Sequence, residues 1–242
     1  MPSADRPSDL GFPERRGASP LSATLKRLKR EGCSVLVCGV VGDAVRAEMT
    51  RRLFGSTEAD RWRILGRTST ASLAPSAYFP VDLQSDRRAV VVSHPDAART
   101  RATADGIEAA PVASERQQTR ATSSEIAESD ALRAALTEAV LKVAGHNHLS
   151  PGVLRVGVTS VGAFLDSGVD EVIEFVRTVE SPVHAANGIF HVHAPLSHDD
   201  DRIAALLPHF DVRIDLRISD PLPPEHRWYL PAVDERTTWM RL

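Results

Sequence analysis

Ser34-Val-Leu-Val-Cys-Gly39-Val-Val-Gly42-Asp43-Ala-Val-Arg46 decides the fold. Ser34 to Cys38 is a short apolar run of the kind that fills a buried strand of a parallel sheet. Gly39 and Gly42 relieve a tight turn. Asp43 then opens a helix with Val45, Met49 and Leu53 on one face and Gly55 just past its end. Strand, glycine turn and helix make the first βα unit.

Outward from this unit the same alternation continues. Leu21, Leu25 and Leu28 predict a helix ended by Gly32, and Trp62–Leu65 and Ala89–Val92 read as further strands. Residues 95–123 have no helical or strand period and are expected to form a flexible insertion. Ser129 is placed to cap a helix carrying Leu132, Leu136, Val140 and Val143. Val153–Val158 reads as a strand, Asp170–Glu180 as an amphipathic helix, and Asn187-Gly188 as a turn into the strand Ile189–Ala194. Asp199, Asp200 and Asp201 suit the positive end of a helix running to Leu207. Val212, Ile214, Leu216 and Ile218 alternate with Arg213, Asp215 and Arg217, which predicts a half-exposed strand; strands near Arg227–Leu230 and Thr238–Leu242 close the chain. The expected architecture is one α/β domain over residues 19–242, behind a disordered tail over 1–18. Its sheet is mostly parallel, flanked by helices, with antiparallel C-terminal strands.

Composition narrows the function. The net charge of -3 leaves no excess of positive charge for phosphates, so nucleic-acid binding is not expected. The basic cluster Lys26, Arg27, Lys29 and Arg30 reads as a solvated helix face. Cys33 and Cys38 match neither a CxxC motif nor a disulfide framework and read as small core residues in a reducing cytoplasm. No apolar run approaches the ~20 residues that span a bilayer, and Met1–Arg16 lacks the apolar centre of a secretory signal.

The first βα turn is where backbone N–H groups and a helix dipole converge on a phosphate. A phosphate-binding loop needs G-x-x-x-x-G-K-[ST]. Matched from Gly39, the second glycine is Ala44, the lysine is Val45 and the hydroxyl residue is Arg46. The partner motif is a carboxylate ending a later apolar strand, which orders magnesium and water. In Leu154-Arg-Val-Gly-Val-Thr159-Ser160 that position holds Thr159.

These segments resemble a degenerate P-loop ATPase of the RecA-like and KaiC-like kind. Gly39-Val-Val-Gly-Asp looks like a worn P-loop, and Val-Thr-Ser-Val-Gly-Ala-Phe-Leu (158–165) resembles the hydrophobic-Asp-Ser segment with threonine in place of aspartate. Gly188–Pro195, Phe210–Arg217 and Arg227-Trp228 resemble the closing strands. The best overall match is to uncharacterised haloarchaeal proteins sharing these features. The resemblance implies a RecA-like fold without ATPase chemistry and without a cofactor. It implies a regulatory or signalling role through a protein partner or self-association. The alternative is a binder of nucleotide or another anion at the first turn, held by Gly39, Gly42, Asp43, Arg46, Thr159 and Ser160. Arg46, one turn into the helix, is expected to face solvent.

Nine histidines raise a metal alternative. His191 and His193 lie two apart on one strand face, and His184 or His198 would complete a set. The competing expectation is that both line the exposed or ligand-facing side of a strand whose other side carries Phe190 and Val192. His146 and His148 follow a helix end, and His209 and His226 have no partner evident in sequence. No G-x-S-x-G elbow appears, so no enzymatic activity is expected.

Overall fold

The structure, a computed structural model, describes residues 20–83, 86–93, 115–146 and 149–242. The expected tail over 1–18 and most of the expected insertion lie outside the described residues.

The elements follow in order: α1 (Pro20–Glu31), β1 (Cys33–Cys38), α2 (Asp43–Phe54), β2 (Trp62–Arg67) and β3 (Ala89–Ser93). Then come α3 (Glu115–His146), β4 (Leu154–Val158), α4 (Gly162–Ser167), α5 (Val169–Ala185), β5 (Ile189–Ala194) and α6 (Asp201–Leu206). β6 (Val212–Arg217), β7 (Glu225–Leu230), β8 (Glu235–Arg236) and β9 (Met240–Arg241) finish the chain. The sheet order is β3-β2-β4-β5-β1-β6-β7-β8, with β9 also on β7. Pairing is parallel from β3 through β6 and antiparallel from β7 onward. This is the mostly parallel sheet with an antiparallel edge that the pattern predicts.

β1 is buried along its whole length, as a strand covered on both faces must be. Leu36 and Cys38 point into a core shared with α3, α4, α5 and α6. Cys33, Val35 and Val37 point to the other side, against Leu25 and Leu28 of α1 and Met49 and Leu53 of α2. On α1 the basic residues are exposed while these leucines are buried, so the basic cluster is a solvated face. Both cysteines are free and buried; burial, reinforced by Asp211, pushes the Cys33 thiol up to about 12.

Two expectations change. Ser129 caps nothing: it lies inside α3, fully buried, and its hydroxyl donates to Glu171 of α5 at 2.6 Å. β6 is not half-exposed either. Arg213 and Asp215 are 5% and 1% exposed, because Arg213 Nε (2.7 Å), Arg227 Nε (2.7 Å) and the Cys38 thiol (3.3 Å) all donate to the Asp215 carboxylate. Alternation reports which face a residue takes; it does not report whether charged partners will bury that face.

The far end of α2 is closed by buried cations. Gly55 takes a positive φ of 77° and its N–H donates to the carbonyls of Arg51 and Arg52. Arg155 of β4 donates to Leu53 O at 3.0 Å, and Arg63 of β2 donates to Phe54 O at 3.3 Å and Ser56 O at 2.8 Å. Both guanidiniums thereby meet carbonyls left unpaired at the negative end of the helix dipole.

Candidate functional site

The connection leaving β1 passes through α2 on one face of the sheet, and the connection leaving the neighbouring β5 passes through α6 on the other. The carboxyl ends of β1 and β5 therefore flank a topological switch point, where open α/β sheets form ligand crevices. A cleft of about 300 Å³ opens there, lined by Gly39, Val40, Ser197, His198, Arg217 and Trp239 among others.

Gly39, Gly42, Asp43 and Arg46 come together at this point. Gly39 has φ 147°, and a Cβ on it would lie 2.4 Å from Leu216 O, so β6 can run this close only past glycine. Gly42 is different from expectation: its φ is -69° and a Cβ there would meet nothing within 4 Å, so the turn does not need glycine at that position. Gly42 O accepts from Val45 N (3.1 Å) and Arg46 N (3.3 Å), which starts α2. Between the glycines Val40 stands 78% exposed.

Arg46 does not face solvent. Its side chain is 16% exposed and curls back over the turn, donating to Val41 O and pairing with Asp43. The Asp43 carboxylate also accepts from Ser72 N at 3.1 Å and from the Ser72 hydroxyl. Burial raises the Asp43 pKa, but these bonds from Ser72 and Arg46 outweigh it, and the group is held below the usual carboxylate range. At the positive end of α2, where a phosphate would sit, the chain has placed its own anion and neutralised it with its own cation.

Thr159 and Ser160 belong to the carboxyl end of β4, two strands from β1, or about 10 Å at normal strand spacing. The Thr159 hydroxyl accepts from Thr68 N at 3.1 Å and shares a second bond with the Thr68 hydroxyl, also 3.1 Å. Ser160 Oγ accepts from Gly162 N at 3.1 Å at the start of α4. Both hydroxyls are used in tying loops together. Glu128 of α3, which no sequence signal marks, reaches the same edge: Ser69 N and Ser69 Oγ each donate to its carboxylate at 2.6 Å.

His191 and His193 do share a strand face, opposite Phe190 and Val192, but that face is buried under α2 and is not ligand-facing. The His191 ring packs edge-on against Phe54 at 5.4 Å and His193 at 5.8 Å. His193 Nε2 lies 2.9 Å from the Thr50 hydroxyl. Burial, with Arg155 nearby, pushes His191 down to about 3, and burial beside His191 and Arg46 holds His193 well below its ordinary value. Both are neutral core groups, and no group of possible metal ligands among the described residues includes them. His184 joins neither: it sits at the amino edge of the sheet, with Nε2 3.3 Å from Glu180 and 3.9 Å from Asp211. Asp211 in turn accepts from Ser34 N at 2.9 Å. His226 is buried and lowered to about 4 by burial and Arg52. The side chains of His146 and His148 lie outside the described residues.

Comparison with known proteins adds the relationship. A family of unknown function, DUF7504, matches residues 32–216, from the residue before β1 into the end of β6. The chain belongs to this family. The antiparallel strands β7, β8 and β9 fall outside the matched span. No curated protein matches the chain. Among solved structures, the chain is similar to an uncharacterized protein from Pyrococcus horikoshii crystallised in complex with an unknown peptide. The two are 12% identical with a TM-score of 0.44, over 85% of this chain and 89% of that one. No helix of the described residues is long and apolar enough to cross a membrane.

Proposed function

We propose that this chain is a non-catalytic module of the RecA/KaiC-like kind, which regulates or signals by binding a protein partner. The supporting observation is the Asp43–Arg46–Ser72 cluster at the first βα turn. With Asp43 paired to Arg46 and bonded to Ser72, the turn offers a phosphate no net positive charge, and the positive end of α2 is already taken by a carboxylate. Arg46, the one nearby cation in the turn, is already committed to Asp43 and Val41 O. Thr159 and Ser160 hold no metal-binding carboxylate and are spent on Thr68 and Gly162. The parallel sheet with β1 in its interior and antiparallel strands beyond β6 agrees with the fold that the resemblance implies.

Phosphate release from ATP with magnesium tests this reading. It expects no turnover above a buffer control. Turnover abolished by Thr159→Ala or Arg46→Ala would overturn it.

A second reading, a binder of nucleotide or another anion, is favoured by the cleft beside Gly39 and Val40, which Arg217 and His198 also line. It expects Gly42→Asp, which adds an anion to the turn at a position where a Cβ meets nothing within 4 Å, to abolish binding of ADP measured by calorimetry.

A further inference from the structure

The face of β6–β9 opposite Trp228 and Leu230 contributes no residue to the apolar cores. It carries ordered rows of arginine instead. Register sets Arg213 opposite Tyr229 and Tyr229 opposite Arg236; Asp215 faces Arg227; Arg217 faces Glu225, and Glu225 faces Arg241. Cross-strand partners share a face, so five arginines meet three carboxylates here: Asp215, Glu225 and Asp234, which accepts from Tyr229 OH at 3.0 Å. Arg217 pairs with Glu225 at 2.8 Å, and Arg213 and Arg227 share Asp215. Arg236 and Arg241 are exposed, with no carboxylate in ion-pair range among the described residues. In a chain of net charge -3, this is a local surplus of positive charge.

Four of the guanidiniums lie over aromatic rings. Arg213 and Arg236 lie 4.9 and 4.7 Å from the centre of the Tyr229 ring, and Arg217 and Arg227 lie 4.0 and 4.6 Å from that of Trp239. Three of these forks are taken by Asp215 and Glu225, while Arg236, exposed over Tyr229, keeps its N–H edges free to take a carboxylate. Stacking also covers the ring faces on which the bases of a single-stranded nucleic acid would stack.

We infer that the arginine-ringed face of β6–β9 docks an acidic segment of a protein partner. This deepens the binding-module reading and rests on it. Charge complementarity selects the partner: carboxylates spaced along an extended segment match Arg236 and Arg241, the two exposed arginines on this face that no carboxylate among the described residues neutralises. Val40, Ile218 and Leu222, exposed at the neighbouring strand ends, give such a segment apolar contacts at its rim.

Fluorescence anisotropy of a labelled peptide of alternating glutamate and glycine tests the inference on the full chain. The expected result is saturable binding that weakens with salt and is at least about tenfold weaker in Arg236→Glu/Arg241→Glu. These two side chains are exposed, so circular dichroism of the variant should be unchanged. No binding, equal binding by the variant, equal binding of a lysine–glycine peptide, or tighter binding of an oligothymidylate would each overturn it. Failure of the peptide with ATP turnover still absent removes this docking face alone; ATP turnover removes the module reading itself.

Discussion

At Asp43 one carboxylate accepts from Ser72, pairs with Arg46 and stands in the first turn of α2, so it pins the β2–β3 connection to the turn where a ligand would enter. Asp43→Asn should cost about 1.5–3 kcal/mol at neutral pH, the usual worth of hydrogen bonds to a charged group. Because the folded pKa lies below the unfolded one, that contribution is present above the ordinary carboxylate range and is lost as pH falls through the folded value. Urea titrations of both proteins at neutral and strongly acidic pH should show the gap closing. The buried histidines have the same sign for a different reason. His191, lowered to about 3, and His226, lowered to about 4, stay neutral in the folded chain while the unfolded chain takes up protons below about 6.5. Stability is therefore full above that pH and falls below it, by about 1.4 kcal/mol per pH unit for each histidine. His191→Leu should reduce the slope between pH 6 and 4 by about one proton's worth. Sequence alone paired His191 with His193 correctly, since a two-residue spacing fixes the face. It could not show that the face is buried, which depends on α2 packing across it.

Close packing of β4, β5 and α2 makes a second set of expectations. Gly157 on β4 leaves room for the His191 ring: a Cβ there would lie 2.4 Å from two ring atoms. Gly157→Ala should cost about 1–3 kcal/mol by overpacking. Gly145 in α3 has nothing within 4 Å of its Cβ position, and Gly145→Ala should stabilise by about 0.4–1 kcal/mol. Thermal melts of the two variants should move in opposite directions. Strands were the most legible elements, because β1 and β5 are short, mostly apolar runs bounded by glycine or proline, and β4 and β6 set apolar residues at every second position. α3 was less so. Its first residues, Glu115–Ser123, are polar and rich in Thr and Ser, and local composition gave no apolar stripe to announce a helix. Ser129 reads as a cap by residue type, yet it serves as a buried donor to Glu171, a partner 42 residues away.

For the molecule as a whole, the mostly parallel sheet with its antiparallel edge was readable from the alternation of strands and helices, and the first turn from its two glycines; the strand order that makes the switch point was not. Nor was what fills that turn. Arg46 meets Asp43 within the first turn of α2, but Ser72 meets it only because the β2–β3 connection folds over α2, and Glu128 reaches Ser69 only because α3 crosses the carboxyl edge. The arginine rows of β6–β9 were equally hidden, since Arg213, Arg227 and Arg236 become neighbours through antiparallel register. In the proposed function, the turn's closure by the chain's own charges is what would separate a binding module from a nucleotide site. Isothermal titration of the purified protein with ATP, ADP and GTP, each with magnesium, measures it directly. With Asp43 and Arg46 paired, no saturable heat and no thermal stabilisation are expected. Saturable binding of any of the three, lost in Gly42→Asp, would contradict the reading and show that the first turn still holds phosphate.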